Sequence, residues 1–306
     1  MGFNTIRLPF SSQMLTIKTP PVVGVNYNLN NDLVGLTPLQ CLDALIAYCG
    51  SVRLHVILTR TSCYGGNEWN EFFWFVPNDL FYTEGQFTAD WLLLSTRYAG
   101  LRHLDYLLSS KFPSIRLHSN EIRIASAVIG VDLWNEPKPP LASWNWVGAN
   151  TKDWRLAAQA AGNLILAVNP QWLIFVAGLG TNGWMGSDLT YVQDAPVQLS
   201  RPNQLVYVTH EMSLEIYPQH WFSDPTYPAN LRGRWRSRWG YLQEQGSNPV
   251  FMGSFGTNFL YFASDDQWLK ALVRYLNGEF ISDNVNSLLP GQMGISWAIG
   301  LQNIGI

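Results

Sequence analysis

Short apolar runs recur along this chain, each bounded by turn residues and separated by stretches with helical periodicity. That alternation constrains the fold more than any other feature. The runs are NTIRL (Asn4 to Leu8), LHVIL (Leu54 to Leu58), AVIGVDLW (Ala127 to Trp134), WLIFVAG (Trp172 to Gly178), QLVYVTH (Gln204 to His210), PVFMGS (Pro249 to Ser254) and MGISWA (Met293 to Ala298). Helices are expected between them: one capped by Thr37, one capped by Thr88, one running from Asp153 to a stop at Pro170, and one closed by Gly278. Repeated units of this kind build a parallel sheet. No glycine fingerprint follows the first run, and polar or aromatic side chains stand at nearly every run's C-terminal end, as in a closed barrel whose site rings one face. The expected fold is therefore α/β, a (β/α)8 TIM barrel. Only seven runs are present, so the expectation is that the first strand is missing and the N-terminus truncated.

A chain of 306 residues, 47% hydrophobic and 13% charged, can bury a large core. The net charge of −3 and the scattered Lys and Arg residues leave no footprint for nucleic acid. No apolar run reaches the roughly 18 residues of a membrane span, and MGFNTIRLPF lacks the layout of a secretory signal. Cys41, Cys49 and Cys63 have no metal-ligand spacing and are expected to be buried thiols. No cofactor is implied. The 14 Trp residues exceed what a core alone asks for and suggest flat ligands such as sugar rings.

The strongest motif is VIGVDLWNEPK, Val128 to Lys138, where an apolar strand ends in Asn135, Glu136 and a proline. An acid at a strand's end, beside an amide able to hold a substrate hydroxyl, is the arrangement wanted of a general acid. A helix-capping role for Glu136 is equally available from the motif alone.

The chain resembles glycoside hydrolase family 5, the endoglucanase-type cellulases, through GFNTIRLPFS, NYNLNNDLVGLTPLQCLDALIAY, AVIGVDLWNEP, DWRLAAQAAGNLILAVNPQWLIFV, NQLVYVTHEMSLEIYPQHWFSDPTYP, RWGYLQEQGSNPVFMGSFGT and ISWA, in family order. The resemblance implies one catalytic barrel over residues 1–306, retaining hydrolysis of β-1,4-glucans, a secreted monomer, and β-glucan as partner. It implies Glu136 as acid/base, and Arg7, Asn135, His210 and Trp297 as site residues. At the nucleophile position, where the family carries Glu, stands Ser254, so activity is expected to be impaired; the alternative is an inactive carbohydrate-binding barrel. Thr61 and Met212 stand where the family has His and Tyr, and the last helix is absent by comparison.

FMGSFGT is not a G-x-S-x-G elbow, because Met252 occupies the first glycine's place, and His210 is the candidate base beside Ser254. Glu211 stays open as the base of an inverting mechanism. Trp69, Trp74, Trp144, Trp146, Trp184 and Trp221 lie in or beside loops where a glucan cleft would be; Trp91, Trp154 and Trp268 are expected to pack; Trp134 fits either role. Leu101 to Ser126 is longer than a barrel connection needs and unlike its neighbours in composition. It is a family-specific loop or translated non-coding sequence, and the composition leans to the second.

Overall fold

The structure, a computed structural model, describes residues 4–65, 74–99, 127–140, 142–145, 153–181 and 184–278. The last expected strand with Trp297, the segment 101–126, Trp69 and Trp146 lie outside the described residues. Six strands are present among them: β1 (Thr5–Ser11), β2 (His55–Ser62), β3 (Val128–Asp132), β4 (Leu173–Ala177), β5 (Leu205–Met212) and β6 (Val250–Gly256). They form one sheet in sequence order, every neighbouring pair parallel. The sheet curls, and each of the first six sequence runs lies on one of its strands.

The helices are α1 (Ser12–Thr16), α2 (Pro38–Ser51), α3 (Glu84–Arg97), α4 (Trp154–Val168), α5 (Asn230–Trp235), α6 (Tyr241–Glu244) and α7 (Ala263–Leu276), with a π-helical turn, Arg236–Gly240, joining α5 to α6. Thr37 caps α2 as expected, in a reciprocal box in which Gln40 Oε1 accepts the Thr37 N–H at 2.8 Å. For α3 the expected cap is corrected. Thr83 accepts from the Gln86 N–H, whereas Thr88 lies inside the helix with its hydroxyl donating to the Gly85 carbonyl. The first turn, Glu84-Gly85-Gln86, is polar, so the apolar stripe starts a turn later than the helix does. Asp153 caps α4 through the Leu156 N–H, and Gly278, at φ 76°, follows α7 in the left-handed conformation that glycine tolerates.

Two apolar layers hold these elements. A small inner cluster, Ile57, Phe175, Ala177, Val206, Val208 and Phe251, fills the hollow of the curled sheet, with Phe175 and Phe251 edge to face at 5.2 Å. The larger cluster lies between sheet and helices. There α4 presents Ala158, Ala161 and Gly162, small enough that a β-carbon at Gly162 would stand 3.1 Å from Ile174 of β4. Each fully buried aliphatic side chain in this layer contributes about 1.5–3 kcal/mol. Trp91, Trp154 and Trp268 pack here as expected, and Trp134 joins them, fully buried. Trp74 and Trp144 were expected beside a cleft; both are core residues, Trp74 against Trp154 and Trp144 donating its indole N–H to the Ala195 carbonyl. The three cysteines are buried thiols that form no disulfide.

Candidate active site

Side chains of β1, of the end of β3 and the turn after it, and of the C-terminal part of β5 meet, with β6 paired alongside β5. Arg7 on β1 donates from Nε to Asp132 Oδ2 at 2.7 Å and from Nη2 to Asn135 Oδ1 at 2.8 Å. One planar fork therefore fixes both the end of β3 and the amide that follows it. The sequence reading named Arg7 and Asn135 as site residues; their direct bond, with Asp132 as the third member, was missed.

Glu136 sits in a constrained turn. Its φ is 52°, a left-handed value uncommon for a residue with a side chain. The turn is held from both sides: the Asn135 N–H donates to the Arg60 carbonyl at 2.9 Å, and the Gly180 N–H donates to the Pro137 carbonyl at 2.8 Å. Gly186 packs so closely that a β-carbon there would be 3.2 Å from Glu136 Cα and Cγ. Glu136 thus faces the site rather than capping a helix.

His210, buried on β5, places Nδ1 2.7 Å from Glu136 Oε1. Its backbone N–H donates to Ser187 Oγ at 3.0 Å, which fixes the strand end from which the ring projects. Lys138 brings Nζ to 3.8 Å from Glu136 Oε2, and its stem lies over Gly180. Burial works to raise the Glu136 pKa, but the His210 hydrogen bond and the electrostatic pull of His210, Lys138 and Arg7 outweigh it and hold the carboxyl below its ordinary value. Lys138 was part of the quoted motif but had been given no role; a cation two residues beyond the acid was the available signal.

Ser254 is the register partner of His210. The β5–β6 pairing shifts by a residue just before it, Thr209 facing Met252 and His210 facing Ser254, so Gly253 is the extra residue. His210 lies against Gly253, and Phe255, next along β6, packs into the outer core; by alternation Ser254 faces inward, beside His210. His210 therefore contacts Glu136 through Nδ1 and pairs with Ser254 across the β5–β6 register.

Glu211 does not join them. Strand alternation sends it to the outer face, where it accepts the Trp239 indole N–H at 2.8 Å. Burial pushes its pKa up to about 8, opposed by the bonds from Trp239 and Trp235. The inverting-base role left open for Glu211 is corrected on this geometry. Asp132 is likewise committed, to Arg7.

Trp184 and Trp221 are also corrected as open platforms. They stack on each other, centroids 5.0 Å apart, with Arg238 over Trp184 and Arg234 over Trp221, and each is only 6% exposed. With Met185, His210, Met212 and Tyr217 they line a small recess beside the site. Thr61 donates its hydroxyl to the Phe10 carbonyl, and Met212 Sδ lies against Gly256. Among the described residues no group of His, Cys, Asp and Glu could hold a metal ion.

The family model for cellulase, glycosyl hydrolase family 5, matches residues 1–285. The chain belongs to that family. Within it, the chain is 37% identical to an endoglucanase of Paenibacillus polymyxa, with 94% of this chain and 67% of the relative covered. It is 31% identical to the major extracellular endoglucanase of Xanthomonas campestris, with 92% of this chain but 53% of the relative covered. The chain thus spans between about half and two thirds of these relatives. An endocellulase of Pyrococcus horikoshii solved with cellotetraose superposes with a TM-score of 0.75 at 30% identity, covering 92% of this chain and 74% of that one. The catalytic domain of the Xanthomonas enzyme superposes with a TM-score of 0.73 at 30% identity, covering 91% and 73%. The six described parallel strands, curled with their helices, form part of the (β/α)8 architecture of this glycosyl hydrolase family.

Proposed function

We propose that residues 1–306 form a single family 5 barrel whose cleft takes β-1,4-glucan chains, with Glu136 at the acid/base position and retaining hydrolysis impaired. The observation that carries this reading is that Glu136 is bound to His210, whose register partner on β6 is a serine, Ser254. A retaining glycosidase needs two carboxyl groups about 5–5.5 Å apart, one to attack the anomeric carbon and one to protonate the leaving oxygen. Serine supplies neither the attacking carboxylate nor the negative charge that steadies an oxocarbenium-like transition state.

The loss also weakens the surviving acid. In a working pair the neighbouring carboxylate raises the acid's pKa, because two like charges so close oppose joint ionisation. Here His210, Lys138 and Arg7 act on Glu136 with no carboxylate at 254 to oppose them, and its pKa is lowered. At neutral pH Glu136 is a carboxylate, suited to accept a proton rather than give one.

Arg7, Asn135 and His210 serve as positioning and substrate-contacting groups, and Trp184 and Trp221 form one wall beside the site. Trp69 and Trp297 remain proposed sugar contacts on the resemblance alone. The naming of relatives as endoglucanases, one of them extracellular, supports a secreted glucan-acting protein; the monomeric state is proposed on the resemblance alone.

The test pairs binding with turnover. Calorimetry with cellotetraose should show binding, while release of nitrophenol from nitrophenyl β-cellobioside should be at least about 100-fold slower than in Ser254→Glu. Absence of binding overturns the glucan reading. Turnover by the natural chain equal to that of Ser254→Glu, and lost on Glu136→Gln, overturns the impairment.

A further inference from the structure

We infer that Asp188 is a positioning residue: its carboxylate locks the loop after β4 into a brace that sets where Glu136 and His210 meet. The side-chain oxygens of Asp188 bond to Thr181, Thr190 and Arg238, so it acts on Glu136 and His210 through the loop it holds. For its effect on turnover, the role rests on the reading of Glu136 as the acid/base.

That loop grips both partners at once. It folds back on itself, with Leu179 and Asp188 each donating a backbone N–H to the other's carbonyl at 3.0 Å. From one leg the Gly180 N–H reaches the Pro137 carbonyl at 2.8 Å, one residue past Glu136. From the other, Gly186, at φ 74°, packs against Glu136 Cα and Cγ. Beside it, Ser187 Oγ accepts the His210 N–H at 3.0 Å and donates to the His210 carbonyl. Moving Gly186 and Ser187 therefore moves one wall of Glu136 and the strand end that carries His210. The 2.7 Å contact between Glu136 Oε1 and His210 Nδ1 depends on both.

Asp188 resists that movement. It is 1% exposed, and its two oxygens tie the legs of the loop to each other and to a third element. Oδ1 accepts the Thr190 hydroxyl at 2.6 Å and the Thr190 N–H at 3.3 Å, while Oδ2 accepts the Thr181 hydroxyl and Arg238 Nη1, the latter at 3.1 Å. Arg238, on the π-helical turn, also accepts the Leu189 N–H through its carbonyl at 3.2 Å and lies over the Trp184 ring. A carboxylate is needed here for a chemical reason. Asparagine has the same size but one acceptor oxygen, and a hydroxyl can turn to accept from its amide. The Thr190 N–H and Arg238 only donate, so whichever way the amide is turned, one of them faces another donor.

The experiment uses the whole chain. In Asp188→Asn the Glu136 carboxyl, followed by NMR of side-chain-labelled glutamate, should titrate higher than in the natural chain, because a carboxyl released from His210 returns toward its ordinary value from below. In a Ser254→Glu background, Asp188→Asn should lower kcat for nitrophenyl β-cellobioside by on the order of 10- to 100-fold, the cost of a small misplacement, and change KM less than kcat. Arg238→Gln breaks the same bond from its partly exposed side and should shift Glu136 in the same direction, which keeps the test if Asp188→Asn does not fold. A lowered melting temperature with the Glu136 titration unmoved, or kcat unchanged in the Ser254→Glu background, overturns the positioning role: the bonds then only hold the loop. If Ser254→Glu itself turns nothing over, the acid/base reading falls, and the Glu136 titration alone decides whether Asp188 sets the contact.

Discussion

His210 lies across Gly253: a β-carbon built there would stand 2.8 Å from the ring's Nε2 and 2.6 Å from Val208 Cγ1. Both contacts are closer than side chains tolerate, so the ring can reach Glu136 only while residue 253 has no side chain. Gly253→Ala should destabilise the fold by about 1–3 kcal/mol through overpacking and weaken cellotetraose binding. Thermal unfolding and calorimetry check both; an unchanged melting temperature with unchanged affinity would show that His210 has slack the geometry does not suggest.

Glu136 owes its low pKa first to winning against burial, and His210 is the largest contributor to that win. His210→Phe keeps the ring's bulk and removes the hydrogen bond, leaving burial less opposed. The Glu136 carboxyl should then titrate higher than in the natural chain, by NMR of side-chain-labelled glutamate. Because the natural folded pKa is depressed, the pair's contribution to stability is present above the unfolded value near 4.3 and is lost as pH falls through the folded value. The acid-side loss of stability should accordingly flatten in His210→Phe. An unmoved titration would place the cause elsewhere.

Glu211 has the opposite sign. With its pKa pushed up to about 8 by burial, it keeps its proton in the folded state through a range where the unfolded chain has released it. Folding stability therefore declines as pH rises from about 4.5 to about 8. Glu211→Gln retains an acceptor for the Trp239 indole N–H and cannot ionise. Its melting temperature should fall less between pH 5 and 8 than that of the natural chain; parallel curves would refute the assignment.

Asp265, fully buried at the start of α7, accepts from Ser213 Oγ, from the Glu215 N–H at 3.3 Å and from the Asn258 N–H at 2.7 Å. It ties the loop after β5 to the loop after β6, the two that follow His210 and Ser254. Asp265→Ala strands these donors and should cost about 3 kcal/mol, since each unsatisfied buried group costs about 1–3 kcal/mol and neighbours do not add fully. In a chain of this size that lowers the melting temperature by roughly 6–12 °C. Asp265→Asn, which keeps one acceptor oxygen, should fall between.

How far the sequence could be read varied with the range of the interaction. Each of the six described strands lies on a run picked out by local hydrophobic pattern, because a strand buried on both faces needs a short continuous apolar segment whatever it pairs with. The α3 cap was misplaced by five residues, from Thr83 to Thr88, because a polar first turn hides a helix start from any reading keyed to apolar periodicity. The Trp residues misled more. Loop position suggested exposure for Trp74, Trp144, Trp184 and Trp221, but indole rings large enough to stack on sugar are equally able to stack on one another or close a core.

Alternation of strands and helices, the order of motifs and the serine at position 254 are properties of the chain read one residue at a time, and the sequence by itself determined them. Tertiary structure decided which side chains share a site. Glu136 and His210 are 74 residues apart and meet because parallel pairing aligns the ends of their strands. One residue of strand alternation turns His210 inward to Glu136 and Glu211 outward to Trp239. A carboxylate's proton affinity depends on charges and burial supplied by distant segments, so whether Glu136 gives or takes a proton was settled only when the sheet curled.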